Sequence, residues 1–164
     1  MNPNGLVPVL IDDEITLYDS VAILSYLAKT YADVNWFPDN TIQLSKVIRW
    51  LAFEQSEGRY GLARARAIAL KNPSSLAHTG SLQESQVIGM AALETLNQQL
   101  SETKWLAGSS EATICDIACY PYTAMSSDGG LSLEPYDAIQ RWIMEIEGMS
   151  GYISLPGRPD KLAS

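Results

Sequence analysis

The chain has 164 residues, of which 46% are hydrophobic and 18% charged, and its formal net charge is −8. This is the composition of a globular protein with enough apolar residues for a core. The negative charge argues against a nucleic acid or an anionic membrane as partner, since both are bound through basic patches. No apolar run is long enough to span a membrane and no secretory signal is recognisable, so the cytoplasm is the expected location.

The first 31 residues predict two strands and a helix. The apolar run 6–11 and residues 15–18 are separated by the acidic turn 12–14, which indicates a hairpin. Pro8 lies inside the first run, where it cannot donate to a strand ladder, so it requires an edge, a bulge or a special bend. Asp19 and Ser20 open a helix, and a hydroxyl with free N–H groups at such an end can bind an anion. The apolar positions of this helix share one face: Val21, Leu24, Leu27, Ala28 and Tyr31.

The pattern NPNG-x-VPVL followed by YDS-x-AI resembles the glutathione transferase family, in the second half of its thioredoxin-like domain. The resemblance implies a cis bond between Val7 and Pro8, with the Val7 backbone pairing with the cysteinyl part of glutathione like an added strand. It also implies that Ser20 holds the γ-glutamyl carboxylate and that Asp19 lies beside the amino group. The alternative is an ordinary hairpin followed by a helix with Ser20 as its cap.

From residue 41 onward the pattern predicts helices only. The first covers residues 41–57, is interrupted or kinked at Gly58 and Gly61, and continues over residues 62–70. Ser81 to Glu84 form a capping box, which predicts a helix running to about residue 100.

The later helices have two prolines and a second capping box. Thr113 to Asp116 match that box, with Asp in place of Glu or Gln. Pro121 is expected to bend or shorten the helix that follows, and Pro135 to lie in the first turn of the last helix. Residues 148–164 are predicted to form a tail.

The family resemblance extends to this part through Trp105-Leu106-Ala107-Gly108 and the Thr113–Ala118 segment. The resulting fold class is mainly α: residues 1–33 as the C-terminal half of a thioredoxin-like glutathione-binding domain, with a hairpin and one helix, and residues 41–164 as an all-helical domain. A complete family member begins with a strand–helix–strand unit that supplies the residue stabilising or carrying the reactive thiol. That unit is expected to be absent here, so no residue is assigned a catalytic role.

Four other residues are candidates for a functional site. Cys115 and Cys119 share a helix face but lack further Cys or His residues for a metal site. Both are expected to be buried and to act as small apolar side chains. His78 lies in a polar loop and is expected to be exposed without a special role. Asp116 is expected to cap its helix rather than act as a catalytic acid.

A basic cluster has two interpretations. It could line the cleft between the two parts and draw the glutathione carboxylates or an acidic co-substrate, or it could be a solvated helix face or subunit contact. Its members are Arg59, Tyr60, Arg64 and Arg66. The second-substrate pocket is expected to include Tyr60, Leu62 and Tyr122.

The resemblance implies glutathione as co-substrate and attack of its thiolate on a small electrophile in a complete enzyme. The alternative is a non-catalytic binding or interaction module, because a fold does not fix a function.

The resemblance also predicts a homodimer formed through the helices from residue 41 onward. Pairing through the uncovered hairpin is the alternative, although the acidic turn 12–14 discourages it. Either way, burying apolar surface at about 25 cal/mol per Å² favours association. Light scattering at micromolar concentration is expected to give twice the monomer mass, and a monomer mass would contradict both versions.

Overall fold

The computed structural model describes residues 5, 7–32, 36–72 and 79–156. A hairpin and one helix precede a bundle of helices, which confirms the expected fold class. The elements in chain order are β1 (Val9–Asp12), β2 (Ile15–Tyr18), α1 (Ser20–Thr30), α2 (Thr41–Phe53), a π-helical segment (Glu54–Ala63), α3 (Arg64–Ala69), α4 (Leu82–Glu102), α5 (Ile114–Ala124), a 3₁₀ turn (Ser126–Gly129) and α6 (Asp137–Glu147). None of the described helices is long and apolar enough to cross a membrane.

The hairpin is tied to α1 by one carboxylate. β1 and β2 are antiparallel, with Asp12 opposite Ile15 across a two-residue turn. Asp12 accepts hydrogen bonds from the hydroxyls of Tyr26, at 2.9 Å, and of Tyr31. Tyr31 is 61% exposed, but it lies on the same side of the helix as Leu24, Leu27 and Ala28, as predicted. Its hydroxyl reaches back to the hairpin through Asp12.

The remaining apolar face of α1 packs partly as expected. Val21, Leu24 and Ala28 contact the hydrophobic core, whereas Leu27 is exposed. No residue of α1 is fully buried. The helix therefore lies on the surface of the bundle rather than inside it.

The glycines at positions 58 and 61 do not interrupt the helix. The chain runs from α2 through the π-helical segment into α3 without a break, so an interruption is excluded, although the stretch that contains both glycines is π-helical and not α-helical. A Cβ at Gly61 would lie 2.7 Å from the backbone nitrogen of Gly89 in α4. Gly61 is therefore used for close approach of two helices, which a larger residue would prevent.

Both predicted capping boxes are present. The Ser81 N–H donates to Glu84 Oε2 at 2.9 Å, and the Glu84 N–H donates to Ser81 Oγ at 3.1 Å. In α4 the residues Leu93 and Leu96 are buried, but Val87 and Met90, which share its apolar pattern, are exposed.

The C-terminal part departs from expectation at two places. Pro135 precedes α6, which begins at Asp137, so it is not in the first helical turn. Met149, Tyr152 and Leu155 pack against the core, and the Tyr152 and Tyr120 hydroxyls are 2.6 Å apart. Up to residue 156 the predicted tail is therefore part of the folded unit, and residues 157–164 lie outside the described residues. Pro121 behaves as expected, because α5 ends three residues after it.

The core is organised around the carboxylate of Asp116, which is fully buried. Its Oδ1 accepts from the Leu106 N–H at 2.9 Å and from Trp142 Nε1 at 3.0 Å, and its Oδ2 accepts from the Thr113 N–H at 2.9 Å. Burial raises the pKa of Asp116, and these donors oppose the rise. The expected cap is confirmed, and it also joins α5 to α6 and to the turn before it.

Replacing Asp116 tests how much its carboxylate contributes to the stability of the fold. We expect Asp116→Ala to lower the free energy of unfolding by about 3 kcal/mol or more, because it leaves three buried N–H groups unpaired. Urea denaturation followed by tryptophan fluorescence measures the change. Glu111→Ala, at an exposed position in the preceding loop, is the control and should stay within about 0.5 kcal/mol of the parent. Equal stability of the two variants would contradict this role.

Candidate functional site

The candidate site begins at the residue before β1. The Val7–Pro8 peptide bond is cis, which confirms the bond expected there. Val7 is 91% exposed, so its backbone is open to an added strand or to a ligand with a peptide backbone. Pro8 lacks an N–H and directly precedes the two-stranded sheet.

The N-terminus of α1 lies after the second strand. Asp19, not Ser20, is the N-cap: its Oδ1 accepts from the Val21 N–H at 2.8 Å and from the Ala22 N–H at 3.3 Å. The alternative with Ser20 as the cap is therefore wrong. Asp19 has a φ of 80°, a backbone angle that residues other than glycine rarely adopt. The two cap hydrogen bonds help to hold its backbone in this conformation.

Ser20 is left available by this arrangement. No hydrogen bond from its N–H or hydroxyl reaches any residue that the structure describes. Both groups sit at the first position of an 11-residue helix, where the helix dipole favours an anion. The position can therefore accept a carboxylate without first breaking a hydrogen bond within the described part of the chain.

A buried carboxylate in the helical part was not anticipated from the sequence. Glu54, at the start of the π-helical segment, is only 9% exposed, and Gln55 Nε2 donates to its Oε2 at 2.7 Å. Burial raises the pKa of Glu54 and the negative charge of Asp19 raises it further, while the Gln55 amide and the Arg59 cation oppose the rise.

The sequence did contain a signal for Glu54. Val47, Trp50 and Leu51 are buried on one stripe of α2, and Glu54 continues that stripe at helical spacing. A carboxylate on an apolar stripe is rare unless it has a partner or a role. π-Helical segments inside α-helices are also frequent at functional sites.

The basic cluster is divided by the fold. Arg64 is 7% exposed and donates from Nε to Ser85 Oγ at 2.7 Å and from Nη1 to the Thr79 carbonyl at 3.2 Å. Arg66 pairs with Asp128 at 2.9 Å. A solvated face is therefore the wrong description of Arg64, and neither it nor Arg66 is free for a ligand. Arg59 alone of the three contributes its charge near Glu54.

The expected second-substrate residues are only partly brought together. Leu62 and Tyr122 line a cavity with Glu54, but its volume is about 10 Å³ and Tyr60 does not line it. A larger cavity of about 280 Å³ lies between α1 and α5 and is mostly apolar. Its lining includes Leu24, Leu27, Ala28, Tyr31, Ile114 and Ile117.

The two cysteines are structural. Both are buried, and burial raises the pKa of each thiol well above its usual range, which disfavours the reactive thiolate. Among the described residues no group of three His, Cys, Asp or Glu could hold a metal ion. His78 lies outside the described residues.

The chain is similar in sequence and in fold to several known proteins. Residues 1–35 match the family model described as "Glutathione S-transferase, N-terminal domain". A crystal structure of a glutathione S-transferase from Pseudomonas fluorescens is 31% identical and superposes with a TM-score of 0.82, covering 93% of this chain and 75% of that one. Glutathione S-transferase 2 of Anopheles gambiae is 31% identical over 87% of this chain and 66% of its own length.

A more distant structure has the same fold. A glutathione transferase homolog from Lodderomyces elongisporus, crystallised with two GSH per subunit, is 20% identical with a TM-score of 0.74. It covers 91% of this chain, which covers 73% of it. The chain thus spans about two thirds of the mosquito relative and about three quarters of the structures. The chain is 31% identical to the Pseudomonas and Anopheles transferases over 93% and 87% of its length. It therefore belongs to the glutathione S-transferase family.

Proposed function

We propose that this chain binds glutathione where the hairpin meets α1, and that the complete enzyme joins the glutathione thiolate to small electrophilic molecules. The observation that carries the proposal is the N-terminus of α1, where Asp19 caps the helix and leaves the Ser20 N–H and hydroxyl available. The GSH bound to the Lodderomyces homolog, which shares the fold, is consistent with it.

Each residue has a distinct task in this proposal. Ser20 donates its hydroxyl and N–H to the γ-glutamyl carboxylate, supported by the dipole of α1. The exposed backbone of Val7 pairs with the cysteinyl peptide group, and Pro8 sets the direction of the chain beside it. Asp19, the N-cap of α1, faces the γ-glutamyl ammonium.

Hydrogen-bond donors at the site are needed because the net negative charge of the chain repels an anionic ligand. Glutathione is an anion and the chain has a formal net charge of −8. Specific N–H and hydroxyl donors at a helix end can outweigh this repulsion, since hydrogen bonds to charged groups are among the stronger ones.

The conjugation step needs a group that favours the thiolate, the reactive form of glutathione. Neither Cys115 nor Cys119 can serve, because both are buried. The proposal therefore assigns thiol activation to neither cysteine. An assay with an electrophilic aromatic substrate separates conjugation from a purely binding role: turnover above the uncatalysed rate by these 164 residues would exclude the non-catalytic alternative.

Replacing Ser20 tests the proposed site. Ser20→Ala should weaken glutathione binding about tenfold, because it removes one hydrogen bond to a charged carboxylate, worth about 1.5 kcal/mol. Isothermal titration calorimetry measures the dissociation constant. The matched control is Ser25→Ala in the same helix, whose hydroxyl donates to the Val21 carbonyl and not toward the helix N-terminus. Unchanged affinity in Ser20→Ala would remove Ser20 from the site.

A further inference from the structure

We propose that a cavity between α6 and the segment that joins α4 to α5 is a second binding site, for a small organic carboxylate with an apolar body. The cavity has a volume of about 480 Å³, which suits a small molecule. Its lining residues lie within segments 104–111 and 141–149, and none of them belongs to the hairpin or to α1. The inference therefore does not rest on the site proposed for glutathione.

Two N–H donors on the lining residues have no acceptor. Trp105 is 4% exposed, and its Nε1 finds no hydrogen-bond partner within the part of the chain that the structure describes. The same holds for Nε of Arg141, which is also buried. Both residues line the cavity. Buried donors in folded proteins are nearly always paired, so two unpaired donors at one cavity indicate that an acceptor from outside the chain, water or a ligand, binds there.

The positive charge of Arg141 favours an anionic acceptor over water. Its Nη2 donates to the carbonyls of Leu100, at 2.8 Å, and of Thr103, at 3.1 Å, and these two bonds hold the guanidinium in place. No carboxylate of the described residues forms an ion pair with it. Hydrogen bonds between a guanidinium and a carboxylate are charge-assisted and stronger than those to a neutral acceptor. A carboxylate is therefore the group that best completes this side of the cavity.

Access to the two donors depends on Lys104. Because Trp105 Nε1 and Arg141 Nε are covered by protein atoms, a neighbouring side chain must move before a ligand reaches them. Lys104 Nζ lies 5.3 Å from the centroid of the Trp105 ring and 3.2 Å from Glu145 Oε2. The side chains of Lys104 and Glu145 are 52% and 40% exposed, and so exposed an ion pair contributes little to stability. A ligand can therefore displace this pair, and the Lys104 ammonium then meets the ligand carboxylate.

The other lining residues define the rest of the ligand. Met144 and Met149 line the cavity together with Trp105, and Met144 is 65% exposed, so it offers apolar surface to an alkyl or aryl group. Thioether side chains adapt to groups of different shape. Glu111 and Glu145 also line the cavity, so a single negative charge is favoured over a phosphate dianion. The ligand class is thus a monocarboxylate with an apolar chain or ring.

Nuclear magnetic resonance of the ¹⁵N-labelled full chain, titrated with phenylbutyrate, tests this site. We expect a saturable downfield shift of the Trp105 indole N–H as it gains an acceptor. The Trp142 indole N–H already donates to Asp116 and should not move. Phenylbutyramide, the neutral analogue, should bind about tenfold more weakly, because its oxygen carries no charge.

A pair of variants tests the part played by Arg141. Arg141→Lys keeps the positive charge but lacks Nε, so it should weaken phenylbutyrate binding about tenfold, the effect of losing one hydrogen bond to a charged group. The matched control is Arg49→Lys in α2, at an exposed position outside the cavity lining, and it should bind like the parent chain.

Three results would overturn the inference. The first is the absence of a saturable shift at the Trp105 indole N–H, which would mean that water alone meets the donors. The second is equal affinity for phenylbutyrate and phenylbutyramide, and the third is unchanged affinity in Arg141→Lys. If Arg141→Lys fails to fold, Trp105→Phe takes its place, since it removes the indole donor and keeps an aromatic ring. Its affinity should also fall, and an unchanged value would refute the site.

Discussion

The buried carboxylate of Asp116 is the interaction on which the rest of the structure depends. It accepts hydrogen bonds from the N–H groups of Leu106 in the preceding turn, of Thr113 at the start of α5, and of the Trp142 indole in α6. It thereby fixes where α5 begins. The Ile114 N–H in turn donates to the Trp36 carbonyl at 2.9 Å, which anchors the segment that follows α1. The candidate site is therefore positioned by an interaction within the helical part of the chain.

The N-terminal elements combine loose packing with open donors. None of the residues in α1 is fully buried, and its contacts with the core come mainly from Val21, Leu24 and Ala28. Such surface placement exposes the helix N-terminus, where Ser20 can meet an anion from solvent. A ligand carboxylate would thus meet an open donor site at this helix end.

Sequence patterns were sufficient to predict the features that depend only on residues close together in the chain. The capping box at Ser81 and Glu84 and the hairpin turn depend on residues two to four apart, so their positions could be predicted. Tertiary contacts decided the rest. Gly61 permits the approach of α4 and does not end a helix. Glu54 is buried only because the π-helical segment packs against α5, and sequence spacing alone cannot show that contact.

The most direct test of the account is a nuclear magnetic resonance titration of the ¹⁵N-labelled chain with glutathione. If this helix N-terminus holds glutathione, the backbone amides of Val7, Ser20 and Val21 should show saturable shifts. Cysteinylglycine, which lacks the γ-glutamyl group, should move Val7 and leave Ser20 unaffected. Shifts confined to the apolar cavity between α1 and α5, or no saturable shift at Ser20, would contradict the claim that this helix N-terminus holds glutathione.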